Sequence, residues 1–266
     1  MSNRNSALKE IHQIDDYMQR VTIMTSIHPC AKLLVTVCYL GILVSFPKYD
    51  LSGLLAMGIY LIVVYQLGDI SIKKTAWGLK EIFLMLLLLG VANLFFDREV
   101  LAIWGGFEVT GGMLSFITLY LKGIFALLAS YALIATTGIE NICYALQVFR
   151  VPRIMITVIL LIYRYLVMFL KEVERISLAY SMRAPGQKGI HRKAWGSLVG
   201  NMLIRSIDRS QTVYESMELR GFGGEFQLKK KENISSSRSI GYAFFASLLL
   251  LVFRIFPVFE WIGLLI

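Results

Sequence analysis

The chain has 266 residues, 56% of them hydrophobic and 17% charged, with a mean hydropathy of +0.64. That apolar content exceeds the roughly 45 to 50% of soluble domains and argues against an ordinary soluble enzyme. The net charge of +9 fits an anionic lipid surface, an acidic protein or nucleic acid, so the placement of the charges has to decide the partner.

Residues 1–28 carry acids and lack the short apolar core and small-residue cleavage site of a secretory signal, so they read as an N-terminal segment that is retained. Four apolar blocks come next, at about 29–46, 51–68, 82–96 and 113–137, and a fifth runs from about 240 to 261. Each is a candidate membrane span, the third a short one. Pro47, Lys48 and Asp50 make the first connection tight, which predicts an antiparallel hairpin of the first two spans. Trp77, Trp104 and Trp261 fall near block ends, where amphipathic rings favour the headgroup level.

Orientation is set by the basic residues of the connections. The N-terminus holds Arg4, Lys9 and Arg20 and the second connection Lys73, Lys74 and Lys80, whereas the first and third hold only Lys48 and Arg98. The N-terminus is therefore expected to be cytoplasmic. Four crossings return the chain to that side near Gly138, and residues 138–238 then carry 16 Lys and Arg against 8 acids. So basic a region belongs on the cytoplasmic face.

The apolar run 154–170 conflicts with this, because a hydropathy window reads it as a span. It is 17 residues long with Arg164 near its middle, at a cost of about 3 kcal/mol at a bilayer centre. The expectation is a long helix lying obliquely at the cytoplasmic interface or against other helices. It continues through Val173, Ile176 and Tyr180 and stops near Pro185 and Gly186. In 197–220, Val199, Leu203, Ile207, Val213 and Met217 recur every three or four residues, opposite Arg205, Asp208, Arg209, Thr212 and Glu215. This predicts an amphipathic helix of about six turns ending at Gly221. Residues 229–239, KKKENISSSRS, read as a polar linker back to the membrane.

The fold class is therefore an all-α integral membrane protein with about five transmembrane helices plus a cytoplasmic or interfacial amphipathic helix region. Its expected divisions are a cytoplasmic segment (1–28), a four-helix membrane domain (29–137), a cytoplasmic helical region (138–238) and a last transmembrane helix (239–266).

No phosphate-binding loop, H-E-x-x-H, C-x-x-C or G-x-S-x-G occurs, so no catalytic residue, cofactor or ATP hydrolysis is expected of this chain. His12, His28 and His191 are scattered, and Cys30, Cys38 and Cys143 sit singly among apolar neighbours; the expectation is no metal site and reduced thiols. Lys32 and Lys122 lie toward span ends, within snorkelling reach, and Asn93 is polar but neutral. No acid lies at membrane depth, which weakens an ion-coupled carrier. Gly41 with Ser45 and Ser52 with Ala56 are small pairs of the kind that let helices approach.

The informative feature is a near-repeat 35 residues apart: Ser181-Met182-Arg183-Ala184-Pro185-Gly186 and Ser216-Met217-Glu218-Leu219-Arg220-Gly221. Each closes an amphipathic helix with an Arg before a glycine. Two readings stay open. The arginines complement the negative ends of their own helices, worth about 0.3 to 1 kcal/mol, or their planar forks dock into acidic grooves on two partners.

The paired motifs resemble the X-Arg-X signatures of the transmembrane T component of energy-coupling factor transporters, and 198–224, LVGNMLIRSIDRSQTVYESMELRGFGG, resembles its cobalt-type CbiQ branch. Leu219-Arg220-Gly221 matches well, whereas Met182-Arg183-Ala184 is followed by Pro185-Gly186 and has no Arg-Gly pair. The resemblance implies a scaffold in the cell membrane whose basic region is a coupling-helix region. Its partners would be the bilayer, two ATP-binding-cassette ATPase subunits and a substrate-binding membrane (S) component, and not nucleic acid. Met182, Arg183, Ala184, Leu219, Arg220 and Gly221 would dock the ATPases. Cobalt or nickel would be the cargo, with a vitamin also open. A self-sufficient carrier or channel, and a membrane anchor without transport, are the competing readings.

Overall fold

The computed structural model describes residues 22–48, 50–96, 100–104, 107–187, 189–226 and 236–255. The expectations placed on Arg4, Lys9, His12, Arg20, Arg98, Trp261 and the linker residues 229–235 lie outside these. Among the described residues the chain is helical except for one short hairpin. The helices are α1 (Pro29–Ser45), α2 (Leu51–Leu67), α3 (Ile72–Gly78), α4 (Lys80–Phe96), α5 (Gly111–Thr137), α6 (Ile139–Val148), α7 (Arg153–Arg183), α8 (Arg192–Glu218) and α9 (Ser236–Ile255). The hairpin pairs β1 (Val100–Trp104) antiparallel with β2 (Phe107–Thr110), between α4 and α5. The fold is an all-α membrane protein, as the composition requires.

The described residues fall into two compact units. One holds α1–α5, most of α6, and α9; the other holds α7 and α8. By length and composition α5 and α7 are each able to cross a membrane, and α2 and α3 are long and apolar enough only when joined across a bend of 108°, the shape of a broken span or a re-entrant loop. α1 and α9 are shorter apolar helices. The short helix α3 and the β-hairpin were not legible in the sequence, because both sit in connections where apolar blocks give no period to read.

In the first unit, α1 begins where the His28 ring nitrogen Nδ1 accepts from the Cys30 N–H at 3.2 Å, with Pro29 in the first turn, where no N–H is needed. It ends before Pro47, which holds Phe46 extended. Asp50 then caps α2, its Oδ1 accepting from the Gly53 N–H at 2.9 Å. Tyr39 of α1 donates to the Met57 carbonyl of α2 and its ring stacks on Tyr60 at 5.1 Å, so the predicted antiparallel hairpin forms. Val35, Tyr39 and Leu43, four apart, line the buried face of α1 against Leu54 and Met57 of α2 and Leu250 of α9.

Lys32 and Lys122 do not snorkel. Lys32 is only 5% exposed and donates to the Thr136 carbonyl at the end of α5, at 2.9 Å. Lys122 of α5 donates to the Phe46 carbonyl at the end of α1, at 2.6 Å. Both ties span 14 residues on each helix (46 − 32 and 136 − 122), so α1 and α5 run antiparallel and each sends a cation to the other's C-terminal end. Those carbonyls lack intrahelical partners and carry the negative end of the helix dipole, which is why an inward turn competes with reaching for water. Arg254 of α9 adds to the same end of α1, over the Phe46 ring at 4.9 Å.

Of the expected small pairs, Ala56 is buried in the core whereas Gly41 is exposed. A Cβ on Gly41 would meet nothing within 4 Å, so that glycine is not a contact. Between α4 and α5, in contrast, a Cβ on Gly90 would lie 2.7 Å from the Phe116 ring, and one on Gly123 would lie 2.7 Å from a Leu86 methyl. These two glycines let each helix seat a side chain of the other.

Candidate functional site

The second unit is built on α7 and α8. α7 starts directly after Pro152, which fixes the backbone for a first helical turn, and runs 31 residues. The apolar run 154–170 is thus the front half of one continuous helix. α8 is entered through His191, whose Nδ1 accepts from the Lys193 N–H at 3.3 Å, and runs 27 residues, starting before the predicted 197.

The two helices are tied side by side. Arg205 of α8 donates to Glu172 of α7 at 2.9 Å, Arg175 stands 3.6 Å from the same carboxylate, and Arg209 reaches the Met168 sulfur. Arg153, at the start of α7, pairs with Glu225, beyond the end of α8, at 2.6 Å. The paired numbers sum to nearly the same value (172 + 205, 168 + 209, 153 + 225), which defines an antiparallel hairpin. A groove of about 680 Å³ lies between the helices. The predicted apolar stripe of α8 divides: Val199, Leu203 and Ile207 are exposed, whereas Val213 and Met217 are half-buried and line the groove.

The two arginine motifs occupy the two C-terminal ends. At the second, the Phe222 N–H reaches the Met217 carbonyl at 3.0 Å and the Gly221 N–H reaches Glu218 at 2.9 Å, with Gly221 at φ +80°. This is a Schellman cap, and it makes Arg220 the last residue before the reversal. Leu219 is 89% exposed, and Arg220 and Gly221 are exposed beside it. At the first, Arg183 is the last helical residue, and Ala184 closes back on the Tyr180 carbonyl at 3.0 Å. Met182 is 72% exposed, Arg183 is exposed and Ala184 half-buried. The near-repeat extends to its serines, since Ser181 and Ser216 each donate to a carbonyl of their own helix, Leu178 and Thr212, at 2.7 Å.

The two ends differ in the turn beyond the arginine. Arg220 directly precedes its left-handed glycine, whereas Arg183 is three residues ahead of Gly186 at φ +91°. Tyr180 organises this longer turn: its hydroxyl donates to Gln187 Oε1 at 3.0 Å and accepts the His191 N–H at 3.3 Å. Sequence reasoning missed Tyr180, whose role depends on a bend rather than a period. The ends are also not brought together. Arg220 lies at the end of the hairpin where α7 begins and Arg183 at the end where α8 begins, about 40 Å apart by the rise of a 27-residue helix.

The histidines and cysteines are dispersed. His28 and His191 are helix caps, Cys30 and Cys38 are half-buried in α1, and Cys143 is buried in α6, where loss of water pushes its thiol pKa up and nearby Glu140 adds to the effect. No group of three or more His, Cys, Asp or Glu side chains converges among the described residues.

Apolar helices of membrane length and a cationic hairpin with an exposed arginine at each C-terminal end define the class: an all-α membrane component, with its polar chemistry on one helical pair. Residues 20–232 match the family described as cobalt transport protein, CbiQ, and the chain belongs to that family. It is similar to the energy-coupling factor transporter transmembrane protein EcfT of Thermosediminibacter oceani, 25% identical over 93% of this chain and 98% of that protein. It is also similar to a putative fused cobalt transport protein, CbiMQ, of Methanocorpusculum labreanum, 30% identical over 47% of this chain and 21% of that protein. Both arginine motifs fall inside the matched residues.

Proposed function

We propose that this chain is the non-enzymatic scaffold of an ATP-driven importer. It carries the closing of two ATP-binding-cassette ATPases to a separate substrate-binding membrane subunit, and cobalt or nickel is the cargo. The observation that carries the reading is the pair of exposed arginine-bearing ends at opposite extremes of one helical hairpin. A single acidic groove cannot engage both across about 40 Å, whereas two ATPase subunits can, one at each end. Arg183 and Arg220 are the docking cations, with Met182 and Ala184, and Leu219 and Gly221, as their flanks. With a docking cation at each end, a change in ATPase spacing would be taken up by rotation or tilt of the two-helix hairpin.

On this reading 138–238 and the N-terminus lie on the cytoplasmic side of the cell membrane. α7 runs along that interface, which leaves exposed Arg164 in reach of headgroups. The cargo assignment rests on the family description and on the name of the fused CbiMQ relative.

The test is co-purification of the tagged chain with its operon neighbours in detergent. Arg183→Glu and Arg220→Glu are each expected to lose ATPase while keeping membrane insertion, because a carboxylate left at an interface without its Arg costs about 3 to 5 kcal/mol when buried. Wild-type ATPase recovery by both variants, or uptake by the purified chain alone in liposomes, would refute the scaffold reading.

A further inference from the structure

The groove between α7 and α8 has a polarity that changes along its length. From residue 175 toward 161 on α7, and from 202 toward 217 on α8, the walls pass from Arg175, Glu172, Arg205 and Arg209 to Tyr165, Leu161, Val213 and Met217. All four charged groups lie in one half of the groove, which Met202, Met168 and Phe169 also line, and the other half carries none. The charged end is also unbalanced. Glu172 is shared by Arg205 at 2.9 Å and Arg175 at 3.6 Å, while Arg209 is turned against the Met168 thioether. Three guanidinium groups therefore face one carboxylate, a surplus of two positive charges beside a trough lined with aliphatic and thioether groups.

We propose that this groove binds an anionic phospholipid, its phosphate held by Arg175, Arg205 and Arg209 and an acyl chain laid along Leu161, Tyr165, Val213 and Met217. The axial separation of charge from apolar surface carries the choice of occupant. An amphipathic protein helix divides its polar and apolar groups around its circumference, so its groove is divided across its width. A lipid divides them end to end, as this groove is. The guanidinium fork matches phosphate geometry. α7, which forms one wall, is apolar along its front half and lies at the membrane interface on the reading above, on which this inference rests, so lipid headgroups and chains are within reach of the groove. Such a lipid would cement a hairpin that is otherwise joined mainly by exposed side-chain ties.

The full-length protein is purified and returned to phosphatidylcholine nanodiscs containing either phosphatidylglycerol or phosphatidylcholine with the same photoactivatable acyl chain. Crosslinked peptides are mapped by mass spectrometry. Peptides bearing Leu161, Tyr165 and Val213 are expected to be labelled about tenfold more by the anionic probe, the effect of one charge-assisted hydrogen bond. Arg175→Gln combined with Arg209→Gln should remove that preference. Val213→Trp, which keeps every charge and fills the apolar end, should remove the labelling itself. Equal labelling by the two lipids, or retained preference in the double variant, would overturn the proposal. So would disappearance of the label once the partner subunits are bound, since the occupant of the working transporter would then be protein.

Discussion

The cap that presents Arg220 depends on Gly221 for a reason that isolates backbone from packing. Gly221 sits at φ +80°, yet a Cβ placed there would meet nothing within 4 Å. Gly221→Ala therefore introduces no clash and costs only the left-handed conformation, about 1 to 2 kcal/mol for an L-residue. That cost is set against the two capping bonds, Phe222 to Met217 and Gly221 to Glu218, each worth about 1 kcal/mol. The equilibrium constant for the cap should fall by a factor of about 5 to 30, which takes a cap held by about 2 kcal/mol from about 97% to about 50 to 85% populated. ATPase affinity should fall by up to about twofold, because only the capped form aims Arg220, while exchange at Phe222 speeds by the full factor. Gly223 supplies the control: it has ordinary backbone angles and equally open surroundings, so Gly223→Ala should change neither quantity. Gly221→Asn should be intermediate, since Asn tolerates the left-handed region better than Ala. The assay is a binding titration of purified ATPase against the detergent-solubilised chain, paired with hydrogen exchange at the Phe222 amide. Fast exchange at Phe222 with wild-type ATPase affinity would refute the claim that the cap positions Arg220.

The same geometry sets expectations elsewhere in the chain. Gly90→Ala forces the Phe116 ring to move and should destabilise the chain by about 1 to 3 kcal/mol, whereas Gly41→Ala, with open space around it, should be neutral or slightly stabilising; thermal unfolding in one detergent compares them. Tyr180→Phe removes the hydroxyl that holds Gln187 and His191, so limited proteolysis within 184–191 should accelerate while the melting temperature changes little. If that loop stays equally resistant, the hydroxyl does not order it.

Much of this architecture can be read from the residues because membrane helices announce themselves by composition. The boundaries of α1, α2 and α5 fall within two residues of the apolar blocks, since Pro47, Asp50 and Gly138 punctuate them. The end of α8 was legible for the same reason, Gly221 being a glycine where a left-handed residue is needed. Lys32 and Lys122 were not read correctly, because a lysine near a span end has two outlets, water and a neighbouring helix's unpaired carbonyls, and only the packing of α1 on α5 decides between them. The groove was hidden for a similar reason. Glu172 pairs with Arg175 within its own helix by spacing alone, but Arg205 and Arg209 look like solvated charges until an antiparallel register sets 172 opposite 205. Arg150 is a smaller case: α6 closes with the Val151 N–H on Leu146 and leaves Arg150 at φ +63°, a position where the sequence offers no glycine to mark the cap.

The central claim is that two helix ends of one hairpin each contact an ATPase, and the most direct measurement is site-specific photocrosslinking. A benzophenone amino acid is placed at Leu219 or at Met182, both exposed beside their arginines, in the transporter assembled with all of its subunits. The scaffold reading expects an ATPase adduct from each position, strengthened or weakened together as nucleotide is added. Adducts only with lipid or with the substrate-binding subunit at both positions would contradict it, and Arg183 and Arg220 would then be no more than cations at the ends of their own helices.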